Sequence, residues 1–445
     1  MNREFTHMIP LQVVSTILFA LLFSTCDQPN GPGKYPFLEL TAENVISKEV
    51  WLRVRFLNTA GPLDFVLERN GSQIAVGKIR TVGKADTLVI DATVSPGTTY
   101  RYKAIQLEGT ARTMESDLVQ VTTLDTTSHQ VQWQVDTVGI RGTIFDVWAF
   151  SQNSIWAVGE IYLKDSTGKE DPVKYNLARW DGQRWAIMRV YYEQSLLTFR
   201  AIYAFGQNDV WVGGNTQPMH WNGSQWQKYD VPATVFSAYI YKMWGTSSSN
   251  MIIVGTTGSI ARFNGTTWQK MQSGTTVDLE DVWGIDESHV WATGTKTDLS
   301  RGIILQYDGR NWSTIYDSFG QPGDRAFGFS SVWTNNGSVL FLAGASGRWS
   351  FNLEDRIFRD LEQIGTWQSY DIRGTGQNDL FVGSAAGEAL HYNGSSWYLY
   401  PELQHSGGTA FALWHTIDPA KDFVVIGGEF FTGLNGVPVV VRGYR

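Results

Sequence analysis

A cluster of carboxylates, seven histidines and one cysteine are the side chains in this 445-residue chain that could do chemistry. Glu160, Asp165, Glu170 and Asp171 stand close together. Two carboxyl groups flanking a glycosidic bond can cleave it, one as acid and the other as base or nucleophile. All four fall in one polar stretch without strand periodicity, where a solvated insertion is the plainer expectation. His220, His289, His391, His405 and His415 show none of the spacings that gather zinc ligands. No glycine-rich phosphate loop is present. Neither a metal, a cofactor nor a catalytic residue is therefore assigned. The lone cysteine, Cys26, cannot form an intrachain disulfide, so its position has to explain it.

That position is the end of an apolar run. Ile9 to Phe23 is dominated by Leu, Val, Ile and Phe behind a short start carrying Arg3. About 15 apolar residues make a signal-peptide core and fall short of the roughly 20 that span a bilayer as a helix. Phe23-Ser24-Thr25-Cys26 resembles a bacterial lipobox, with Phe23 where Leu is usual and Thr25 where Gly or Ala is preferred. The resemblance implies a lipidated Cys26 and cleavage just before it. Residues 1–25 are then a signal peptide and 26–34 a Gly/Pro/Asn tether. The expected location is the cell envelope of a diderm bacterium, periplasm or surface, with the membrane reached through the lipid.

Bulk composition narrows the partners. The formal charge is −8 and charged residues are 18%, so the chain reads as globular and acidic, and a nucleic-acid partner is not expected. There are 19 Trp, all but Trp51 at or beyond Trp133. Tryptophan massed in this way reads first as repeated core positions.

The elements that must position any site are repetitive. FDVWAFSQNSIWAVG (from Phe145), FRAIYAFGQNDVWVGG (from Phe199) and LEDVWGIDESHVWATG (from Leu279) are one phrase, with looser copies near Met243, Val332, Ile372 and Leu413. A second phrase, such as ARWDGQRW (from Ala178) or LHYNGSSW (from Leu390), follows most of them. The first phrase predicts an inner strand, a tight turn and a second strand ending in Gly. That Gly either takes positive φ or passes close to a neighbour. The second phrase predicts a third strand, a two-residue Asp/Asn-Gly turn of type I′, and an outer strand bearing Trp. Four strands in a period of roughly 40–50 residues are a propeller blade. Seven inner strands are counted, and the last unit lacks its outer strand. Val131–Val135, an outer-strand phrase with nothing before it, is expected to complete that unit and join the two ends. In the fifth unit Phe358 stands where the Trp should be.

The units resemble secreted bacterial propeller repeats of the form I-W-G…D-V-W-A-V-G…D-G-x-x-W. They are distantly similar to the Asp-box repeats of sialidase-like and photosystem-assembly-factor propellers. The resemblance implies a seven-bladed β-propeller over residues 130–445. Sialidase-type hydrolysis would need clustered arginines, and Arg179, Arg200, Arg262, Arg301, Arg325 and Arg373 are scattered along the chain. Residues 35–126 carry short alternating runs, as in Trp51–Phe56, and turn signals at Asn70-Gly71 and Pro96-Gly97. They predict a β-sandwich. VSPGTTYRYKAI (from Val94) resembles the fibronectin type III pattern, which implies Tyr100 as its corner tyrosine and Trp51 or Phe56 in the inter-sheet core. The fold class is all-β, a sandwich followed by a propeller.

Length variation falls on the connections after the phrase-ending Gly and on those from outer strand to next inner strand, which emerge on one face. That rim is the expected recognition surface. Tyr162, Tyr191, Tyr192, Tyr239, Tyr241, Arg301, Phe430 and Phe431 are its candidate binding residues, suited to a protein or glycan partner. The expected function is a binding module on a monomer, with a glycan-acting hydrolase or lyase as the alternative.

Overall fold

The computed structural model describes residues 36–59, 63–79, 83–296, 301–319, 328–345, 347–361, 364–365, 367–404, 406–407, 410–432 and 435–445. Cys26 and the expected signal peptide, residues 1–25, lie outside them.

Residues 37–122 form eight strands in two sheets. Phe37–Val45, Val50–Thr59 and Gly83–Asp91 make one. The other is built on Leu63–Arg69 and Thr99–Glu108, with Ser72–Ile79, Ala111–Glu115 and Val119–Thr122 beside them. Alternation buries one side of each, so Leu52, Val54, Phe56, Phe65, Leu67 and Tyr102 share one core. Asn70 and Gly71 both have positive φ between the paired Arg69 and Ser72, a two-residue turn that suits the sheet twist. The Tyr100 hydroxyl accepts a 2.8 Å hydrogen bond from the Ser95 amide. Phe56, not Trp51, fills the core between the sheets. Trp51 points away from it and packs with Trp333, Leu390 and Trp397 of the following repeats. Around it Asn44 donates to Gln377 at 3.2 Å and Arg359 pairs with Glu49 at 3.6 Å.

Seven sheets of one pattern follow, with inner strands Arg141–Ser151, Ala201–Gly206, Ile240–Ser247, Asp278–Asp286, Phe329–Trp333, Ser369–Gly376 and Ala410–Pro419. Each inner strand touches the next, and the seventh touches the first. A single hairpin cannot bury its own apolar face, so the sheets stack side by side. The last sheet takes its outer strand from the N-terminal side: Gln132–Thr137 runs antiparallel to Gly436–Tyr444, with Trp133 opposite Gly443.

The Asp/Asn-Gly turns differ from the expected type I′. Trp180 pairs with Trp185, so four residues intervene, and of Asp181 and Gly182 only the glycine has positive φ. The turn closes instead through the Asp181 carboxylate, which accepts the amides of Gln183 and Arg184 at 2.8 and 2.9 Å. Asn222, Asn264, Asp308 and Asn393 do the same. The Trp that follows packs on the third strand's aromatic residue and reaches the preceding sheet. Trp226 lies 5.7 Å from Trp221 and 6.0 Å from Trp156, and Trp268 lies 5.2 Å from Phe263 and 6.3 Å from Trp211.

Candidate functional site

The inner strands share an irregularity. Near its start, the ladder to the second strand shifts register at Phe145, Tyr241, Glu280, Ser330, Tyr370 and His415, at the same place in each of six sheets. In the remaining sheet Arg200 donates its amide to Gly213 while Ala201 pairs with that same residue, so Arg200 holds the seventh place. A bulge adds one residue to a strand and re-aims its side chain. Here the seven side chains converge on one cavity of about 370 Å³ at the channel mouth.

The phrase-ending glycine makes this possible. A Cβ on Gly159, Gly214, Gly255, Gly294 or Gly344 would stand 1.8–2.1 Å from the carbonyl oxygen of Thr143, Thr198, Tyr239, Asp278 or Gly328, in each case two residues before the re-aimed side chain. Close approach, not positive φ, is the reason for that glycine. The mouth lies at the starts of inner strands and the ends of second strands, where Asp278 pairs with Thr295. It therefore opens on the face with the variable connections.

One step deeper the channel is closed by charge. Asp281 accepts both guanidinium nitrogens of Arg373 at 2.9 Å and the amide of Val332 at 2.9 Å. Asp146 pairs with Lys242 at 2.8 Å and accepts the amide of Ile202 at 3.0 Å. Asp371 pairs with Arg373 at 2.9 Å and accepts the amide of Ile417, and Asp418 accepts that of Ala149. Each carboxylate thus takes an amide from the next sheet and fastens the ring circumferentially. Burial alone would raise Asp281, but the Arg373 charge and hydrogen bonds outweigh it and hold the group below the ordinary carboxylate value. Asp418, buried with less compensation, is pushed up to about 7.

At the mouth itself the charges are differently disposed. Burial pushes Glu280 up to about 7, with the Thr295 and Ser330 side chains beside it in the same cavity. Asp278 accepts the Thr257 amide at 2.7 Å. His415 faces Glu429 at 3.2 Å. Arg200 is exposed, lies 4.5 Å from the Phe145 ring centre and 6.0 Å from that of Tyr241, and has no carboxylate partner among the described residues. The arrangement can hold an acceptor group on Arg200 with aromatic walls to either side.

Of the rim residues read from sequence, Tyr241 lines this cavity and the others are spread around the disk. Arg141 stacks on Tyr162, whose hydroxyl donates to Glu160. Tyr191 and Tyr239 are exposed at 46% and 54%. Tyr192 donates to Asp230, and Arg301 is held by Asp317 at 2.7 Å. Phe430 is half-buried on Trp414, and Phe431 is half-buried beside it in the chain. The Glu160–Asp171 carboxylates are engaged locally: Glu170 pairs with Arg141 at 2.6 Å, Asp171 with Arg189 at 2.5 Å, and Asp165 caps a turn at Thr167 and Lys169. His220 and His391 are equivalent, each 2.8 Å from an aspartate and stacked on an aromatic residue of the second strand.

Sequence reasoning missed Phe145, Arg200, Glu280, Tyr370 and His415. The signal was present: each stands just ahead of the repeated D-V-W position, and the second strand facing Phe145, Arg200 and Glu280 ends in a glycine, replaced by Ser384 at Tyr370.

No family model and no curated protein matches this chain. Solved structures do. YCF48 bound to a D1 peptide superposes with a TM-score of 0.53 at 14% identity, covering 70% of this chain and 97% of that one. YCF48 from Cyanidioschyzon merolae gives 0.51 at 14% identity, covering 70% and 98%. These neighbours are β-propellers, and at such identity the likeness concerns the fold: this chain is all-β with propeller architecture.

Proposed function

We propose that this chain is an envelope-anchored lipoprotein whose seven-bladed propeller binds a protein segment at the channel mouth. The observation that carries the reading is the convergence of seven inner-strand residues, one per sheet, on a single cavity where Arg200 has no carboxylate partner among the described residues. Donors, acceptors and aromatic faces in one mouth suit an extended peptide, whose backbone offers both kinds of group and whose acidic end or side chain would satisfy Arg200. The solved YCF48 that carries a D1 peptide adds support for a peptide as ligand. The N-terminal sandwich is read as fibronectin type III-like, because its strand order and its Tyr100 to Ser95 corner bond fit that pattern. It serves as a spacer between the lipid on Cys26 and the ring, and its packing through Trp51 sets the ring's attitude.

A glycan-acting hydrolase is the second reading, favoured by Glu280, whose carboxyl, pushed up by burial to about 7, keeps a substantial protonated fraction near neutrality. A partner acid is the difficulty. Asp278 is engaged by Thr257, and Asp281 and Asp371 are tied to Arg373. Probing a peptide array and a glycan array with the full chain separates the readings. Peptide binding weakened at least tenfold by Arg200→Ala supports the proposal. Glycan binding with the same sensitivity changes the partner class, and glycan cleavage abolished by Glu280→Gln establishes the enzyme. Labelling with a radioactive fatty acid, lost in Cys26→Ala, tests the anchor.

A further inference from the structure

Alternation along the inner strands carries the channel lining past the charged layer. Two residues beyond Asp146, Asp281, Asp371 and Thr416 stand Trp148, Trp283, Arg373 and Asp418, and the second and fifth sheets add Tyr203 and Trp333 at the same place. These residues line a separate cavity of about 100 Å³ near the ends of the inner strands, on the far side of the charged layer from the mouth. Its walls are largely aromatic. The Tyr203 hydroxyl donates to the Gly245 carbonyl at 3.0 Å, and the Trp283 indole donates to that of Thr334 at 2.8 Å. Both polar tips are thus spent on backbone, which leaves ring surface to the cavity. Trp148 lies 4.7 Å from Tyr203 between ring centres.

One carboxylate there is left over. Asp418 accepts the Ala149 amide on Oδ2 at 2.7 Å, and its Oδ1 has no donor among the described residues. The cations nearby are already committed. Lys242 is held by Asp146 at 2.8 Å, and Arg373 by Asp281 and Asp371 at 2.9 Å. Around the inner channel Asp146, Asp281, Asp371 and Asp418 therefore face only Lys242 and Arg373, and negative charge is in excess. Burial, with the Asp146 charge beside it, raises the Asp418 carboxyl, and a cation entering the cavity would supply the missing counter-charge. Aromatic faces around one open carboxylate oxygen suit an organic ammonium, which is drawn by the ring quadrupoles as well as by charge. A hard metal ion wants a cage of oxygens, and among the described residues no three His, Cys, Asp or Glu side chains come together to make one.

We propose that this end of the channel is a site for an alkylammonium group, the amine of a small molecule or a lysine side chain, with Asp418 as its counter-ion and Trp148, Tyr203, Trp283 and Trp333 as its walls. The narrower cavity, about 100 Å³ against about 370 Å³ at the mouth, favours a slender chain. The site stands apart from recognition at the mouth, because the charged layer lies between the two.

Titrating n-butylammonium chloride into the full chain at pH 8, followed by saturation-transfer NMR of the ligand, tests the site. Saturable binding is expected. Asp418→Asn, which keeps an acceptor for the Ala149 amide and removes only the unpaired charge, should weaken it about tenfold or more. Trp148→Leu should weaken it about threefold, and 1-butanol, the same chain without charge, should bind about tenfold less tightly. A lysine capped at both ends that binds more tightly than n-butylammonium identifies a protein side chain as the occupant, and the reverse order identifies a free amine. Absence of saturable binding overturns the proposal, and so does binding indifferent to Asp418→Asn. Binding lost instead in Glu280→Gln would belong to the mouth, and displacement by an equal concentration of potassium would mark a site for inorganic cations; either result overturns it as well.

Discussion

Asp136 is the residue on which the joining of the two chain ends should most depend. It lies in the strand Gln132–Thr137, and its carboxylate meets Arg442 of the last strand through bonds of 2.6 and 3.1 Å. It also accepts the indole N–H of Trp185 in the first sheet at 3.0 Å. The Arg442 side chain is 5% exposed and that of Asp136 14%. Replacing Asp136 by Ala would leave a buried guanidinium without its counter-charge, and breaking such a pair costs about 3–5 kcal/mol. Arg442 keeps its stacking on Trp180 and its bond to Tyr444, which places the expected value near the lower end. Asp136→Asn keeps an acceptor for one donor and should cost about 1.5–3 kcal/mol. Urea unfolding followed by tryptophan fluorescence gives the stability, and hydrogen exchange of residues 132–137 gives the location. A change within about 0.5 kcal/mol for Asp136→Ala, or unaltered exchange in that strand, would refute the argument that this strand closes the ring.

Trp268→Ala, at a buried position between Phe263 and Trp211, should cost about 3–5 kcal/mol, whereas exposed Tyr239→Ala should stay within about 0.5 kcal/mol; urea midpoints decide it. Arg373→Met should cost about 3–5 kcal/mol at pH 7.5, because Asp281 is left buried and unpaired. In the parent chain Asp281 is held below its ordinary value, so its contribution is present above 3.8 and lost as pH falls through the lowered value. In Arg373→Met burial raises it against the Lys242 charge and the bonds from Val332 and Ser331, so the deficit should shrink between pH 7.5 and 5; a deficit that grows would contradict the assignment. Gly294→Ala would drive a methyl toward the Asp278 carbonyl, at 2.1 Å before relaxation, and should cost about 1–3 kcal/mol while distorting the Glu280 bulge. Thermal unfolding and mouth binding measured on one preparation test both effects.

Strand order, the repeat and the pairing of Trp133 with the final strand were legible because they follow from periodicity and from a count of strands in which one was spare and one missing. Trp51 was not placed, since an apolar residue in an alternating run looks the same whether it faces its own sandwich or a neighbour. The turn type was misjudged because Asn-Gly and Asp-Gly serve both a type I′ hairpin, as at Asn70, and a four-residue loop closed by the side chain, as at Asp181. The candidate site was less legible. The cavity opens on the face that length variation singles out, but candidate residues were sought among aromatic residues of the loops. The bulges that aim Arg200, Glu280 and Tyr370 inward lie within strands, where alternation alone assigns side chains to one face or the other.

The direct test of the binding site is a photo-crosslink from the mouth. p-Benzoylphenylalanine at Tyr370, in cells that make the protein, should give a discrete protein adduct that disappears when Arg200→Ala is added. The same label at Val76, 67% exposed on the sandwich edge, should give none. Equal adducts from both positions, or a Tyr370 adduct indifferent to Arg200, would contradict recognition at the channel mouth.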